Sequence, residues 1–130
     1  MLITRDEKDK IISSTHNRKS PAPDGLMMEL FKNSSEIITP KLYVLFNSIM
    51  NSDIFPAEWR KALICTLHKG GSLNDPKHYR GISLLDITSK LFTKILHGRL
   101  TTWAENQQFD QEEQAGFRKG YSTIDQFFIY

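Results

Sequence analysis

The sequence lacks the features that mark secreted and membrane-spanning proteins. Its 130 residues contain one cysteine, Cys65, so no disulfide can form within the chain. No apolar run approaches the roughly 20 residues that a membrane-spanning helix needs. The N-terminal MLITRDEKDK has no hydrophobic signal-peptide region. We therefore expect an intracellular protein, nuclear or cytoplasmic, that makes no contact with a membrane.

The chain also has little excess charge of either sign. Its net charge is +2 and its pI is about 8.7, which is weak for a protein that binds nucleic acid through total charge. Any such binding must therefore come from local clusters of cations. With 39% hydrophobic and 25% charged residues, the composition is that of a globular chain, and 130 residues fit one small domain with a single core.

The patterns that hold metals or activate nucleophiles are missing as well. Cys65 and His68 are close in sequence, but residues three apart on a strand point to opposite faces and would chelate a metal poorly. Gly70 and Gly71 are not followed by the Gly-Lys-Ser/Thr of a phosphate-binding P-loop. We predict no metal site, and no residue is assigned a catalytic role.

What the chain does contain is a strand pair around a glycine-rich loop, in the segment ALICTLHKGGSLNDPKHYRGISLL. Two apolar, partly β-branched runs flank a loop that has Lys69 at one edge and Arg80 at the other. Arginine offers a planar fork of donors and lysine a compact point charge, and both suit phosphate groups. The pattern predicts a small antiparallel β element with two cations near the same end.

Apolar residues at helical spacing predict helices on both sides of this strand pair. The first helix covers Thr4–Ser14, with Thr4 as its cap and Ile11 and Ile12 on its buried side. The others cover Leu26–Lys32 with Asp24 as its cap, a core helix with Thr39 as its cap and Pro40 at its first position, the strongest helix from Asp86 to about Glu105, and a last one over Thr123–Tyr130. The last helix ends in apolar residues without a cap, which is typical of a truncated domain. The predicted fold is α+β, mainly α, in one domain over residues 1–130.

Further cations lie outside the strand pair. Arg18 and Lys19 stand beside a Pro-Asp-Gly turn, and Arg118 lies between two glycines in QAGFRKGYST. A stripe of Lys90, Lys94 and His97 follows one face of the strongest helix. This stripe is compatible with a solvated face or with a phosphate contact surface, and the sequence leaves both open.

Five motifs in one order carry a family resemblance. They are SPAPDG, FPAEWRKALICTLHKGG, DPKHYRGISLL, KLFTKILHGRL and QAGFRKGYST. Together they resemble the N-terminal part of the reverse transcriptase domain of LINE-type (non-LTR) retrotransposons, the Jockey-like elements especially. The resemblance implies the fingers and the start of the palm of a right-hand polymerase, with the remainder of palm and thumb missing.

The resemblance also implies partners and site residues. The partners would be an RNA template, a DNA primer and an incoming deoxynucleotide, whose triphosphate Lys69 and Arg80 would contact. The positions implied near template and primer are Lys19, Asp24, Gly25, Gln114, Gly116, Phe117 and Arg118. The family usually has proline where Gly81 stands, and we expect this glycine to loosen the strand that carries Arg80.

The complete family domain is expected to use Mg²⁺, held by palm aspartates that this sequence does not reach before Tyr130. Nucleotidyl transfer depends on such metal ions, because they stabilise the attacking and leaving oxygens. We therefore expect a fragment of a retrotransposon RNA-directed DNA polymerase that binds its partners, holds no cofactor and does not polymerise alone. The alternatives are a retained nucleic-acid-binding module and a truncated gene model of an active enzyme.

Overall fold

Four α-helices and one β-hairpin make up residues 2–21 and 24–107, the part of the chain that the structure, a computed structural model, describes. The helices are α1 (Arg5–Ser14), α2 (Met28–Asn33), α3 (Ser35–Ser52) and α4 (Ile87–Asn106). The strands β1 (Leu63–His68) and β2 (Tyr79–Leu84) form an antiparallel two-stranded sheet. This architecture agrees with the predicted α+β fold, mainly helical with a small antiparallel β element.

By its internal contacts the chain divides into two compact units, residues 1–95 and 96–130. The core and the hairpin belong to the first unit, and the described residues of the second continue α4. The helix predicted over Thr123–Tyr130 and the positions Gln114–Arg118 lie outside the described residues. None of the described helices combines the length and the apolar character that a membrane crossing requires.

The start of α1 is fixed by a capping box, as the sequence predicts for Thr4. The backbone N–H of Glu7 donates to the Thr4 hydroxyl at 3.2 Å, and the Thr4 backbone N–H donates to the Glu7 carboxylate at 2.8 Å. These two bonds satisfy amide groups that a helix start otherwise leaves unpaired. Of the two isoleucines predicted to face the core, Ile12 is buried and Ile11 is half-buried.

Two buried polar side chains fasten the N-terminal segment to α3. The side-chain oxygen of Asn47 accepts the Ile3 backbone N–H at 2.7 Å, and its amide nitrogen donates to the Ile3 carbonyl at 3.2 Å. Lys8 is 2% exposed, and its ammonium donates to the Thr39 carbonyl at 3.1 Å while lying 5.8 Å from the centre of the Tyr43 ring. Buried polar groups need such partners, so these bonds set the position of α1 on α3.

The predicted start of the core helix at Thr39 and Pro40 is wrong, because α3 begins at Ser35 and includes Pro40. The Ser34 carbonyl accepts the N–H groups of Ile37 and Ile38, which forms a helical turn before the proline. The bond from Lys8 to the Thr39 carbonyl holds this turn from outside the helix. The local sequence favours a helix that starts at the proline, whereas this tertiary contact supports a helix that starts before it.

The predicted cap of α2 is also wrong. Helix α2 begins at Met28, with Met27 as its cap residue, and the Asp24 carboxylate accepts the Leu26 N–H at 3.1 Å within the preceding turn. Gly25 has φ +69°, a left-handed conformation that ends any helical path directly after Asp24. Asp24 therefore shapes the turn that leads to α2, and the helix starts four residues later.

An aromatic cluster joins α3, the segment before β1 and α4. The Phe92 ring packs edge-on against Phe46 at 5.4 Å and lies 5.5 Å from Trp59, while Phe55 approaches Phe92 at 6.0 Å. The Trp59 indole N–H donates to the Thr88 hydroxyl at 3.1 Å. Trp59 lies in the 3-10 helix Ala57–Arg60 just before β1, and α4 follows β2, so the cluster fixes both ends of the hairpin's base.

Replacing Asn47 by alanine is expected to lower the free energy of unfolding by about 2–3 kcal/mol, because the buried N–H and C=O groups of Ile3 lose their partner. Urea unfolding followed by circular dichroism measures this change. Asn51→Ala, which removes an exposed asparagine near the end of the same helix, is the matched control and should stay within about 0.5 kcal/mol. Equal stability of the two variants would contradict the proposed anchor.

Candidate functional site

The hairpin projects from the aromatic cluster with both of its faces exposed. Leu63 pairs with Leu84 at the base and His68 pairs with Tyr79 near the loop. Ile64 is 67% exposed on one face and Leu67 is 54% exposed on the other, although both are large apolar residues. The strands therefore owe their position to their ends and their pairing more than to packing against a core.

Lys69 and Arg80 lie on the same face of this hairpin, near its loop. Arg80 is paired with Leu67 in the register, and the Lys69 N–H donates to the His78 carbonyl at 2.7 Å, which continues the pairing by one residue. Side chains two residues apart on a strand share a face, and Lys69 is two residues from Leu67, the partner of Arg80. Lys69 and Arg80 are therefore diagonal neighbours across the two strands, and the Cα atoms of such neighbours are about 7–8 Å apart. Both residues are exposed. The structure thus brings together the two cations that the sequence places at the loop.

The loop between the strands is held by its own hydrogen bonds. The Tyr79 hydroxyl donates to the Leu73 carbonyl at 2.9 Å, and the His78 ring nitrogen Nδ1 lies 3.1 Å from the Ser72 carbonyl oxygen. Asp75 accepts the Lys77 N–H at 2.9 Å and starts the 3-10 helix Pro76–His78. These bonds tie the loop to the start of β2.

Gly71 is required by this loop for two reasons. Its φ of +91° is left-handed, and a Cβ atom at this position would lie 2.6 Å from Cε1 and Nδ1 of His78. Gly70 has φ +108°, with nothing within 4 Å of the place where its Cβ would be. The glycine pair therefore turns the chain next to Lys69 and makes room for the His78 ring.

Gly81 does not interrupt the strand that carries Arg80. It lies inside β2 opposite Thr66, and a Cβ at Gly81 would meet the Ile64 methyl group at 3.4 Å, an ordinary contact. The strand therefore forms without the proline that the resemblance places here. The looser strand expected from glycine stays a prediction.

The turn that contains Asp24 and Gly25 lies at the opposite end of the hairpin. The Asp24 and Asp86 carboxyl groups share a hydrogen bond, and Asp86 immediately precedes α4. The strand advances about 3.3 Å per residue over the four steps from Arg80 to the end of β2 at Leu84, so Arg80 lies about 13 Å along the strand from that end. The structure places Lys69 with Arg80 and Asp24 with Asp86, in two separate clusters.

Asp86 is a buried residue, 6% exposed, and the pKa of its carboxyl group is raised above the usual value of 3.8. Burial is the largest cause, followed by the negative charge of Asp24, the hydrogen bond to Asp24 and the charge of Glu58. The ammonium group of Lys90 opposes the shift. The Asp86 carboxyl group therefore loses its proton less readily than an ordinary aspartate.

The basic residues next to the Pro-Asp-Gly turn are also on the surface. Arg18 and Lys19 are both exposed, and Arg18 has φ +57°. The Arg18 N–H donates to the Glu29 carboxylate at 2.7 Å, so the first turn of α2 holds this basic segment. Sequence reasoning missed Glu29, because its partner lies eleven residues away across a turn that the sequence does not specify.

The stripe predicted on α4 is not a free phosphate surface at Lys94. Its ammonium group donates to the hydroxyl groups of Ser14 and Thr15 at 3.2 and 3.1 Å. Lys90 lies near Asp86 and acts on its carboxyl group. Lys94 therefore contacts the end of α1 and the residue after it, an option that neither interpretation of the sequence contained.

Within residues 2–21 and 24–107, no three His, Cys, Asp or Glu side chains come close enough together to hold a metal ion. Cys65 is an exposed free thiol on β1. The register places Cys65 opposite Ile82 and His68 opposite Tyr79, so the two side chains belong to opposite faces of the hairpin.

Replacing Asp86 by asparagine is expected to stabilise the protein at pH 7 and to have little effect near pH 3. The pKa of the Asp86 carboxyl group is raised in the folded state above the ordinary value of 3.8. Proton binding by this group therefore stabilises the folded state below pH 3.8, and this stabilisation is lost as the pH rises through the raised pKa. At neutral pH the wild type carries buried charge repulsion, which asparagine removes while remaining a good helix-start residue. Thermal unfolding of both proteins from pH 3 to 7 measures the difference.

The control is Glu105→Gln, which changes an exposed glutamate near the end of α4 and should give no comparable gain at pH 7. A loss of stability in Asp86→Asn that is the same at every pH would contradict the expectation.

Known proteins similar to this chain come from one group of mobile elements. No protein-family model matches the chain. The probable RNA-directed DNA polymerase from transposon BS of Drosophila melanogaster is 32% identical over 125 residues, which are 95% of this chain and 14% of that protein. The corresponding protein from transposon X-element of the same species is 31% identical over 121 residues, 92% of this chain and 13% of that protein.

The RNA-directed DNA polymerase from the mobile element jockey of Drosophila melanogaster is 28% identical over 125 residues, again 95% of this chain and 14% of that protein. The similarity thus covers nearly the whole chain, which spans only about a seventh of the length of these relatives. This confirms the resemblance that the five sequence motifs indicate. The chain is therefore homologous, over most of its length, to one segment of the RNA-directed DNA polymerases of jockey-like, LINE-type retrotransposons.

Proposed function

We propose that this chain is the part of a retrotransposon RNA-directed DNA polymerase that contacts the incoming nucleotide and the template, in the fingers of a right-hand polymerase. The observation that supports this best is the placement of Lys69 and Arg80 on one face of an exposed hairpin. Homology to the polymerases of transposon BS and transposon X-element supports the same assignment.

The chemistry of the hairpin fits a triphosphate. Two cations at a diagonal spacing of about 7–8 Å can contact different phosphates of one triphosphate chain. The Arg80 guanidinium can donate two parallel hydrogen bonds to one phosphate, and Lys69 can act as a point charge at the next. The loop beside them is held by internal bonds, so the backbone near Lys69 is already ordered before a ligand arrives.

Template and primer would lie across the surface at the other end of the hairpin. Lys19 is an exposed cation five residues before Asp24 in the sequence, and the turn of Asp24 and Gly25 would approach the nucleic acid backbone. Gln114, Gly116, Phe117 and Arg118 would complete the template pocket. These four positions are proposed from the family resemblance alone, since they lie outside the described residues.

Mg²⁺ would serve the complete polymerase domain, and the described residues offer it no fitting site. Among residues 2–21 and 24–107, no three side chains of the metal-binding types lie close enough together to hold a metal ion. The 130 residues also contain no adjacent pair of aspartates, the arrangement that the resemblance implies for the palm. We therefore assign this chain the contacts to nucleotide and template, and the metal chemistry to another part of the polymerase.

The double variant Lys69→Ala/Arg80→Ala is expected to bind an RNA template–DNA primer duplex and a deoxynucleoside triphosphate at least tenfold more weakly. Its binding should also depend less on salt, with a slope of log K against log salt that is smaller by about 1–2, because two phosphate contacts are gone. Fluorescence anisotropy with a labelled duplex at several salt concentrations measures both quantities. Lys10→Ala/Lys41→Ala, which removes two exposed cations from helices, is the matched control.

Wild-type binding that is independent of salt, or equal affinities of the double variant and the control, would contradict the assignment of these cations.

The purified chain is expected to bind a template–primer duplex without extending the primer, because it contains no metal-binding aspartate pair. A gel-based extension assay with deoxynucleotides and Mg²⁺ measures this, with an active reverse transcriptase in the same buffer as the positive control. Primer extension by the chain alone would contradict the proposal that the metal chemistry belongs to another part of the polymerase.

A further inference from the structure

The segment between α1 and the Pro-Asp-Gly turn contains a strained residue that carries a positive charge. We call residues 16–20 the basic turn, after Arg18 and Lys19. Arg18 has φ +57°, a left-handed conformation that is uncommon for residues other than glycine, asparagine and aspartate. A non-glycine residue keeps this conformation only when its surroundings hold it there. The structure must therefore contain a group that fixes the backbone of Arg18.

That group is the Glu29 carboxylate. Its Oε1 atom accepts the Arg18 backbone N–H at 2.7 Å, a short bond with a charged acceptor. The other carboxylate oxygen, Oε2, is enclosed and has no hydrogen-bond partner among the described residues. The bond crosses from the first turn of α2 to the basic turn, and thereby attaches this turn to a helix.

The charge state of Glu29 agrees with this arrangement. The backbone N–H of Arg18 is the largest cause that lowers the pKa of the Glu29 carboxyl group, followed by its own backbone N–H. Partial burial opposes the shift, and the charges of Lys32 and Arg18 favour it. Glu29 is therefore an ionised acceptor at neutral pH, with the positive charges of Lys32 on the same helix and of Arg18 in the basic turn beside it.

We propose that Glu29 is a positioning residue for nucleic-acid binding, which acts by fixing the Arg18 backbone so that the cations of Arg18 and Lys19 meet successive phosphates. The proposal rests on the proposed function, since it concerns the binding of template and primer. It assigns a favourable role to an acidic residue on a surface that binds a polyanion. Electrostatics alone predicts the opposite sign, because removing a negative charge should strengthen the binding of nucleic acid.

Three single variants of the full chain separate these two effects. Glu29→Gln keeps a side-chain acceptor and removes the charge, Glu29→Ala removes both, and Glu36→Ala removes an exposed carboxylate from α3 as a charge control. With the labelled RNA template–DNA primer duplex, we expect affinities within twofold of wild type, or slightly tighter, for Glu29→Gln and Glu36→Ala. Glu29→Ala should bind threefold to tenfold more weakly, with a smaller salt slope.

A double-variant comparison tests whether Glu29 acts through the basic turn. In a Lys19→Ala background the loss caused by Glu29→Ala should shrink, because one of the positioned cations is already gone. In the Lys69→Ala/Arg80→Ala background the same loss should persist at full size, because those cations lie at the far end of the hairpin. The exchange rate of the Arg18 amide proton, measured by NMR, should rise in Glu29→Ala and stay slow in Glu29→Gln.

The outcomes distinguish the two proposals. Wild-type chain that binds no duplex overturns the proposed function together with this role. Wild-type binding with equal or tighter binding by Glu29→Ala overturns the positioning role alone, as does an equal loss in both double-variant backgrounds. Circular dichroism melting of each variant identifies a loss of binding that comes from unfolding, and such a loss in a folded Glu29→Gln variant would also overturn the role.

Discussion

The contact between Trp59 and Phe92 is the interaction on which the rest of the described structure depends. Trp59 leads into β1, Phe92 lies on the helix that follows β2, and their ring centres are 5.5 Å apart. A two-stranded hairpin alone is marginally stable in water, and both faces of this one are exposed. The aromatic contact and the bond from Trp59 to Thr88 therefore determine the direction in which the hairpin leaves the core.

Carboxylates play a structural part on a surface assigned to anionic partners. Glu29 holds the backbone of Arg18, and Asp86 shares a hydrogen bond with Asp24 at the start of α4. Neither carboxylate gains from facing phosphate, and each is turned towards the protein's own backbone or towards a neighbouring side chain. In this chain acidic groups shape the turns, and in the proposed function the exposed cations would meet the ligand. This division explains how a chain with a net charge of only +2 can present locally basic places.

The sequence predicts those elements whose signals are local. The hairpin, with Lys69 and Arg80 near one end, follows from two apolar, partly β-branched runs around a glycine-rich turn, and Thr4 is predicted as the cap of α1. The errors at Pro40 and Asp24 arise because contacts distant in sequence, or a left-handed glycine, override local capping preferences. Asn47 could not be predicted as an anchor, since its partner Ile3 lies 44 residues away. The roles of Lys69 and Arg80 toward a ligand remain predictions.

The fit of the His78 ring against Gly71 has a consequence for the thermodynamics of binding. The ring occupies the space that a side chain at residue 71 would need, and with Tyr79 it closes the loop on itself. A loop that is ordered in the free protein loses little conformational entropy when a ligand arrives, so more of the attraction between Lys69 and an anion appears as affinity. Pre-organisation of this kind would let the two cations on the exposed hairpin act together in the proposed site.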